Sequence, residues 1–226
     1  MGAHWCGPCI TATNNLKNLY STNGGGGSQS ADFTFISFWE SQTTGWPADS
    51  PINRRSHIQN APGYTGGIPV TVFGDAPSGT YYTVGGQSYD SYYQNGGNMQ
   101  NANDYALSVI QSENGNNMDI EVTATYFGSS SSVNAYLQAV VTEHYGAQPY
   151  DNGNIPHNVI RDWLLNPGNN GFTQMTLTPN NPVSTSWSVP ISTVRSATTD
   201  SGAPISAVDN FLTVAALMSG PHNTYN

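Results

Sequence analysis

Past residue 118, apolar side chains recur at every second position, and that period constrains the fold more than anything else in the chain. Asp119 to Phe127 sets Ile120, Val122, Ala124 and Tyr126 on one face, and Val133 to Val141 does the same with Val133, Ala135, Leu137, Ala139 and Val141. A strand points successive side chains to opposite faces, so such a run buries one face and leaves the other in water. Asn158–Leu164, Thr173–Leu177, Ser186–Ile191 and Asn210–Met218 are further short candidates bounded by turn residues. Strands of this length and spacing predict two packed antiparallel sheets.

The first half reads differently. Ile10 to Tyr20 predicts three turns of helix with Ile10, Leu16 and Leu19 as its apolar contacts, and Gly24 to Gly27 opens a loop. Phe33–Trp39, Val70–Phe73 and Tyr81–Val84 read as strands, and Ile52–Gln59 as a short helix in a segment rich in Pro and Gly. Asn101 to Gln111 reads as a helix with Ala106, Leu107 and Ile110 inward. The polar stretch Glu113–Asn117 then sets a boundary, which divides the chain into residues 1–115 and 118–226. The second part has the strand pattern of an immunoglobulin-like β-sandwich.

The sequence has two cysteines, and they form Cys6-Gly7-Pro8-Cys9, behind Trp5 and ahead of the first helix. A thiol at a helix N-terminus meets unpaired backbone N–H groups and the positive end of the helix dipole, both of which favour a thiolate. A second thiol one turn on can resolve a mixed disulfide. Trp-Cys-Gly-Pro-Cys is the active-site sequence of thioredoxins, which residues 1–115 resemble. Gly67-Ile68-Pro69-Val70 is a second match, since thioredoxin-like proteins carry a cis-proline beside the disulfide.

The resemblance implies a thioredoxin-like α/β domain followed by an all-β sandwich. Cys6 would attack, Cys9 would resolve, Pro69 would present backbone to a substrate, and Trp5, Gly7, Pro8 and Ile68 would support them. The pairing of two such units is similar to the Omp-twenty-eight-like family of surface and outer-membrane-associated proteins. Two stretches fit that pattern, His157-Asn158-Val159-Ile160-Arg161 and the terminal strand entered through Asn210 and running Leu212-Thr213-Val214-Ala215-Ala216.

A thioredoxin places a buried strand, with a buried Asp, directly before its cysteine motif. Five residues precede Cys6, so this chain carries neither, and two explanations stand. The N-terminus is truncated, or the sheet has a vacant slot. A vacant slot exposes unpaired N–H and C=O groups and is a template for a strand from another chain. The partner expected on that ground is the protein itself, as a homo-oligomer or polymer.

Composition narrows the function classes. Charged residues make up 8% of the chain, against about 25% in an ordinary soluble domain, and the net charge is −9. With no basic stripe to neutralise phosphates, nucleic acid is excluded as a partner. No apolar run reaches the roughly 20 residues that span a bilayer. A surface of amides and hydroxyls points to an extracellular or cell-surface location. No Asn-x-Ser/Thr acceptor occurs in a sequence whose commonest residue is Asn.

The remaining candidates are weaker. His4 stands near the cysteines without the further ligands a zinc site needs, so neither a metal nor a cofactor is expected. His144 and His157 read as strand-edge residues, and Arg161 as the ion-pair partner of Asp162. Asp151–Asn154 and Asp200–Gly202 read as plain turns rather than calcium loops. Tyr81, Tyr82, Tyr89, Tyr92 and Tyr93 could form a stacking face or a subunit contact. Two functions follow: a secreted or surface structural subunit of a filament or layer, or an exported thiol–disulfide oxidoreductase using Cys6 and Cys9.

Overall fold

The computed structural model describes residues 6–22, 34–37, 69–72, 81–83, 89, 103–146, 149–164, 172–196 and 208–218. Helix α1 (Gly7–Thr22) comes first, then an antiparallel ribbon of β1 (Val70–Val72) and β2 (Tyr81–Thr83). One sheet joins β3 (Tyr105–Asn114), β4 (Asn117–Tyr126) and β8 (Val183–Pro190), in the order β3-β4-β8. The other is built on β5 (Val133–Tyr145). Strand β9 (Phe211–Met218) lies along one side of β5. On the other side β7 (Thr173–Leu177) pairs with its first half and β6 (His157–Trp163) with its second. A short helix α2 (Ile191–Ser196) follows β8 directly.

The core forms where the alternation places it. Ile120, Val122 and Ala124 of β4 face Leu137, Ala139 and Val141 of β5, and Met175, Leu177 and Phe211 complete the same cluster. Each of the larger side chains contributes roughly 1.5–3 kcal/mol on leaving water. This two-layer arrangement is compatible with the sandwich expected over residues 118–226.

The register of β5 and β6 shifts between Val141 and Thr142, where Val141 pairs with Asp162 and Thr142 with Ile160. Arg161 is the extra residue of that bulge. Its side chain turns inward, and its Nε donates to Glu143 Oε2 at 2.9 Å while Nη2 donates to the same oxygen. Arg161 is 7% exposed and Glu143 0%, so this is a buried ion pair. The sequence reading, Arg161 with its neighbour Asp162, is corrected to Arg161 with Glu143.

Two further expectations are overturned. Of the helix read over Asn101–Gln111, the described residues from Tyr105 onward form a strand, because Tyr105 to Asn114 pairs residue for residue with β4. Asn114 and Asn117 close that hairpin, leaving the two-residue loop Gly115-Asn116. Gly115 has φ +62°, whereas Asn116 is not left-handed, the pattern of a type II′ turn. Glu113–Asn117 is therefore a tight turn inside one sheet. Ala106, Leu107 and Ile110 satisfy helical spacing, but of the three only Leu107 turns toward the core.

The thioredoxin-like α/β domain expected over residues 1–115 is not what the chain forms. The described residues are mostly strand, with two α-helices, one of them only six residues long. The segment after α1 joins the sandwich itself. Ser37 forms a parallel bridge with Val159 of β6, its N–H donating to Asn158 O at 2.8 Å and its carbonyl accepting from Ile160 N at 3.1 Å. Of the strand read over Phe33–Trp39, only residues 34–37 are described. The helix read over Ile52–Gln59 lies outside the described residues. Among the described residues, no helix is long and apolar enough to cross a membrane.

Candidate functional site

Cys6 stands immediately before α1 and Cys9 in its first turn, where the Cys9 N–H donates to Cys6 O at 3.0 Å. That turn brings the two Cα atoms to 5.3 Å, and the sulfurs form a disulfide. Pro8 fits here because the first-turn N–H groups of a helix have no intrahelical acceptor. A Cβ added at Gly7 would meet nothing within 4 Å, so space does not demand glycine there.

Gly7 and Pro8 face solvent, while both cysteines turn inward: Cys6 is 4% exposed and Cys9 2%. They pack with Ile10, Tyr150 and Val159. Tyr150 comes from the connection between β5 and β6. Its hydroxyl lies 2.6 Å from Thr13 Oγ1 and donates to Cys9 O at 3.5 Å. Burial pushes its pKa up, and the bond with Thr13 partly offsets that shift. Asp151–Asn154 forms the turn that holds this tyrosine. Tyr150 N–H donates to Asn154 O at 2.9 Å, Gly153 N–H donates to Tyr150 O at 2.7 Å, and Gly153 takes φ +84°. The ring therefore packs against Cys6 and Cys9 from a hydrogen-bonded turn.

Farther along α1, Tyr20 packs on Phe35 and His144, with ring centroids 6.2 and 6.5 Å away. His144, Tyr145 and His157 form one aromatic cluster, with centroids 4.3 to 5.6 Å apart. Burial lowers the His157 pKa to about 4, helped by the charge of Lys17 on α1 and by His144. His157 is thus a buried neutral imidazole rather than the strand-edge residue read from the sequence. Asn158 beside it takes φ 50°, which Asn tolerates better than most residues. Its side-chain NH2 donates to Phe35 O at 3.1 Å, and its Oδ1 lies 2.9 Å from His144 Nδ1.

The structure thus brings Cys6 and Cys9 together and adds Val159, read in the sequence only as part of a strand-like stretch, and Tyr150 and Thr13, which the sequence did not single out. Pro69 is buried directly ahead of β1. Trp5, Ile68 and His4 lie outside the described residues. Among the tyrosines of the proposed stripe, Tyr89 is buried with its hydroxyl 3.1 Å from Thr71 Oγ1, so it offers no stacking face. The side chains of Tyr81, Tyr82, Tyr92 and Tyr93 and the turn Asp200–Gly202 lie outside the described residues.

Thiol–disulfide exchange requires a thiolate to reach one sulfur of the bond. Here the sulfurs are held between a helix and the β-sheet, with a tyrosine above them. The arrangement can hold α1 in place. No protein-family model matches the sequence, and no curated protein matches it significantly.

Proposed function

We propose that this is an extracellular or cell-surface structural protein, a subunit that assembles with its own copies into a filament or layer, and that Cys6–Cys9 is a local staple. The observation that carries this reading is the closed disulfide. Both sulfurs are buried against Tyr150 and Val159, residues more than 130 positions away that belong to the sandwich. The bond closes a loop of two intervening residues, and cross-links that short contribute only about 2 kcal/mol through chain entropy. Its work is to shape the first turn of α1 so that Cys9 and Thr13 meet Tyr150.

The sparse charge supports the same reading. With 8% charged residues, few like-charge contacts oppose the packing of one copy on another. The oxidoreductase reading requires an accessible sulfur on Cys6, and its 4% exposure weighs against that.

Electron microscopy of natively isolated protein, with and without dithiothreitol, tests the proposal. Regular filaments or layers in both samples are the expected result, together with slow labelling of Cys6 by an alkylating reagent after mild reduction. Dispersed particles in both samples, with fast labelling and turnover of insulin disulfides, would overturn it in favour of redox catalysis.

A further inference from the structure

Among the described residues, the three-stranded sheet has two edge strands, β3 and β8, and they are built differently. The directions of their backbone groups follow from two hydrogen bonds. Phe127 N–H donates to Asp104 O at 2.7 Å, in register with the β3–β4 ladder, so even-numbered residues of β3 turn their N–H and C=O toward β4. Tyr105, Leu107, Val109, Gln111 and Glu113 therefore turn theirs outward. Ile191 N–H donates to Asn116 O at 2.9 Å, so on β8 the even-numbered residues turn outward.

Strand β8 is blunted. Pro182 precedes it, and Pro190, whose position turns outward, has no N–H to offer an incoming strand. Among the described residues, strand β3 carries no such device. Its ten residues contain no proline, and Tyr105 to Ser112 contains no Lys, Arg, Asp or Glu. Natural edges are usually protected by charge, proline, bulges or cover. Three large apolar side chains stand exposed along this edge, Tyr105, Val109 and Ile110, the last 61% exposed. The neighbouring edge, β9, is covered at one point by Gln111, whose Nε2 donates to Phe211 O at 2.7 Å and whose Oε1 accepts from Thr213 Oγ1 at 2.7 Å.

We infer that β3 is a self-recognition edge whose partner is β3 of a second copy of this chain, paired antiparallel about a two-fold axis at Val109. The outward-facing residues then meet one another: Val109 with its copy, Leu107 with Gln111 and Tyr105 with Glu113. Because the paired numbers sum to an even value, the inner faces of both copies lie on the same side of one continuous six-stranded sheet. Ile110 falls opposite Ser108 on the outer face. No carboxylate opposes another in this register, which matters for a chain of net charge −9. The symmetric pairing is self-complementary, as a two-fold interface requires.

This inference rests on the self-assembly reading and names the surface it would use. Sedimentation velocity of the full chain from about 1 to 200 μM, a range that spans the affinities of modest interfaces, measures it directly. Ile110→Lys places a charge on an exposed side chain at the seam. Val109→Pro removes an N–H that points away from β4, so the intramolecular ladder is kept. Circular dichroism of both variants checks that the sandwich persists.

The expected result is a wild-type dimer that each variant weakens at least tenfold. Wild-type dimers or polymers unchanged by both variants would overturn the β3 edge and leave self-assembly standing. A β3-dependent dimer without filaments or layers in the microscope would keep the edge and overturn the polymer. A wild-type chain that stays monomeric throughout the range, with no polymer, would overturn both.

Discussion

The sandwich core and the α1 face are held by different kinds of contact. The core is a repeating pattern. Alternate positions of β4 and β5 bury Ile120, Val122, Leu137 and Val141, and many small apolar contributions add up. The α1 face is a set of particular contacts: one disulfide, one tyrosine hydroxyl, one left-handed asparagine and one neutral histidine. A repeated pattern tolerates the loss of any single member better than a set of unique contacts does. Damage to the sandwich should lower global stability, whereas damage to the helix face should release α1 first.

The largest expected effect lies at the buried ion pair. Glu143→Ala leaves the Arg161 guanidinium buried without this partner and should cost about 3–5 kcal/mol by urea denaturation. The double substitution Glu143→Leu with Arg161→Met should recover a large part of that loss. If the single variant costs under about 1 kcal/mol, the pair is solvated and the sandwich end is less closed than described.

Acid should come next. The folded pKa of His157, about 4, lies below its ordinary value of 6.5, so the unfolded chain takes up the proton first. Its contribution is fully present above pH 6.5, declines as pH falls, and is gone below about 4. His157→Gln should flatten that part of the stability–pH curve. If the wild-type and variant curves run parallel between pH 4 and 6.5, the imidazole is not buried against Lys17.

Smaller effects separate the two regions more sharply. Tyr150→Phe removes one hydroxyl and leaves Thr13 short of a partner, for a cost of about 1–2 kcal/mol. Hydrogen exchange should show that cost in the amides of α1 before those of β4 and β5. Equal acceleration in both would mean the helix and sandwich open as one unit. Gly7→Ala should be nearly silent, since the added methyl meets open space. A loss above about 1 kcal/mol in a thermal scan would show that glycine serves the helix start in some other way.

Legibility in the sequence follows the same divide. Thr173–Leu177 and Asn210–Met218 form strands almost where alternation and turn residues placed them, and the helix after Cys9 forms over Gly7–Thr22. Each of these is a local pattern. The misreading of Asn101–Gln111 arose because Ala106, Leu107 and Ile110 fit a helical spacing as well as they fit a strand, and the edge position of β3 removes the clean alternation of a half-buried strand. The cysteine motif gave the disulfide's position correctly, while the α/β domain inferred from it does not form.

The sequence by itself determined the period of β4 and β5 and the closeness of Cys6 to Cys9. These depend on neighbours a few residues apart. Only the tertiary structure decided that Tyr150 would seal the disulfide, that Ser37 would pair with β6, and that Arg161 would choose Glu143 over the adjacent Asp162. The first two of these contacts join groups more than 100 residues apart, and the third depends on a bulge that turns one side chain inward. Local preferences fix backbone period, but which distant groups meet is settled by how the sheets stack and which polar groups must then find partners.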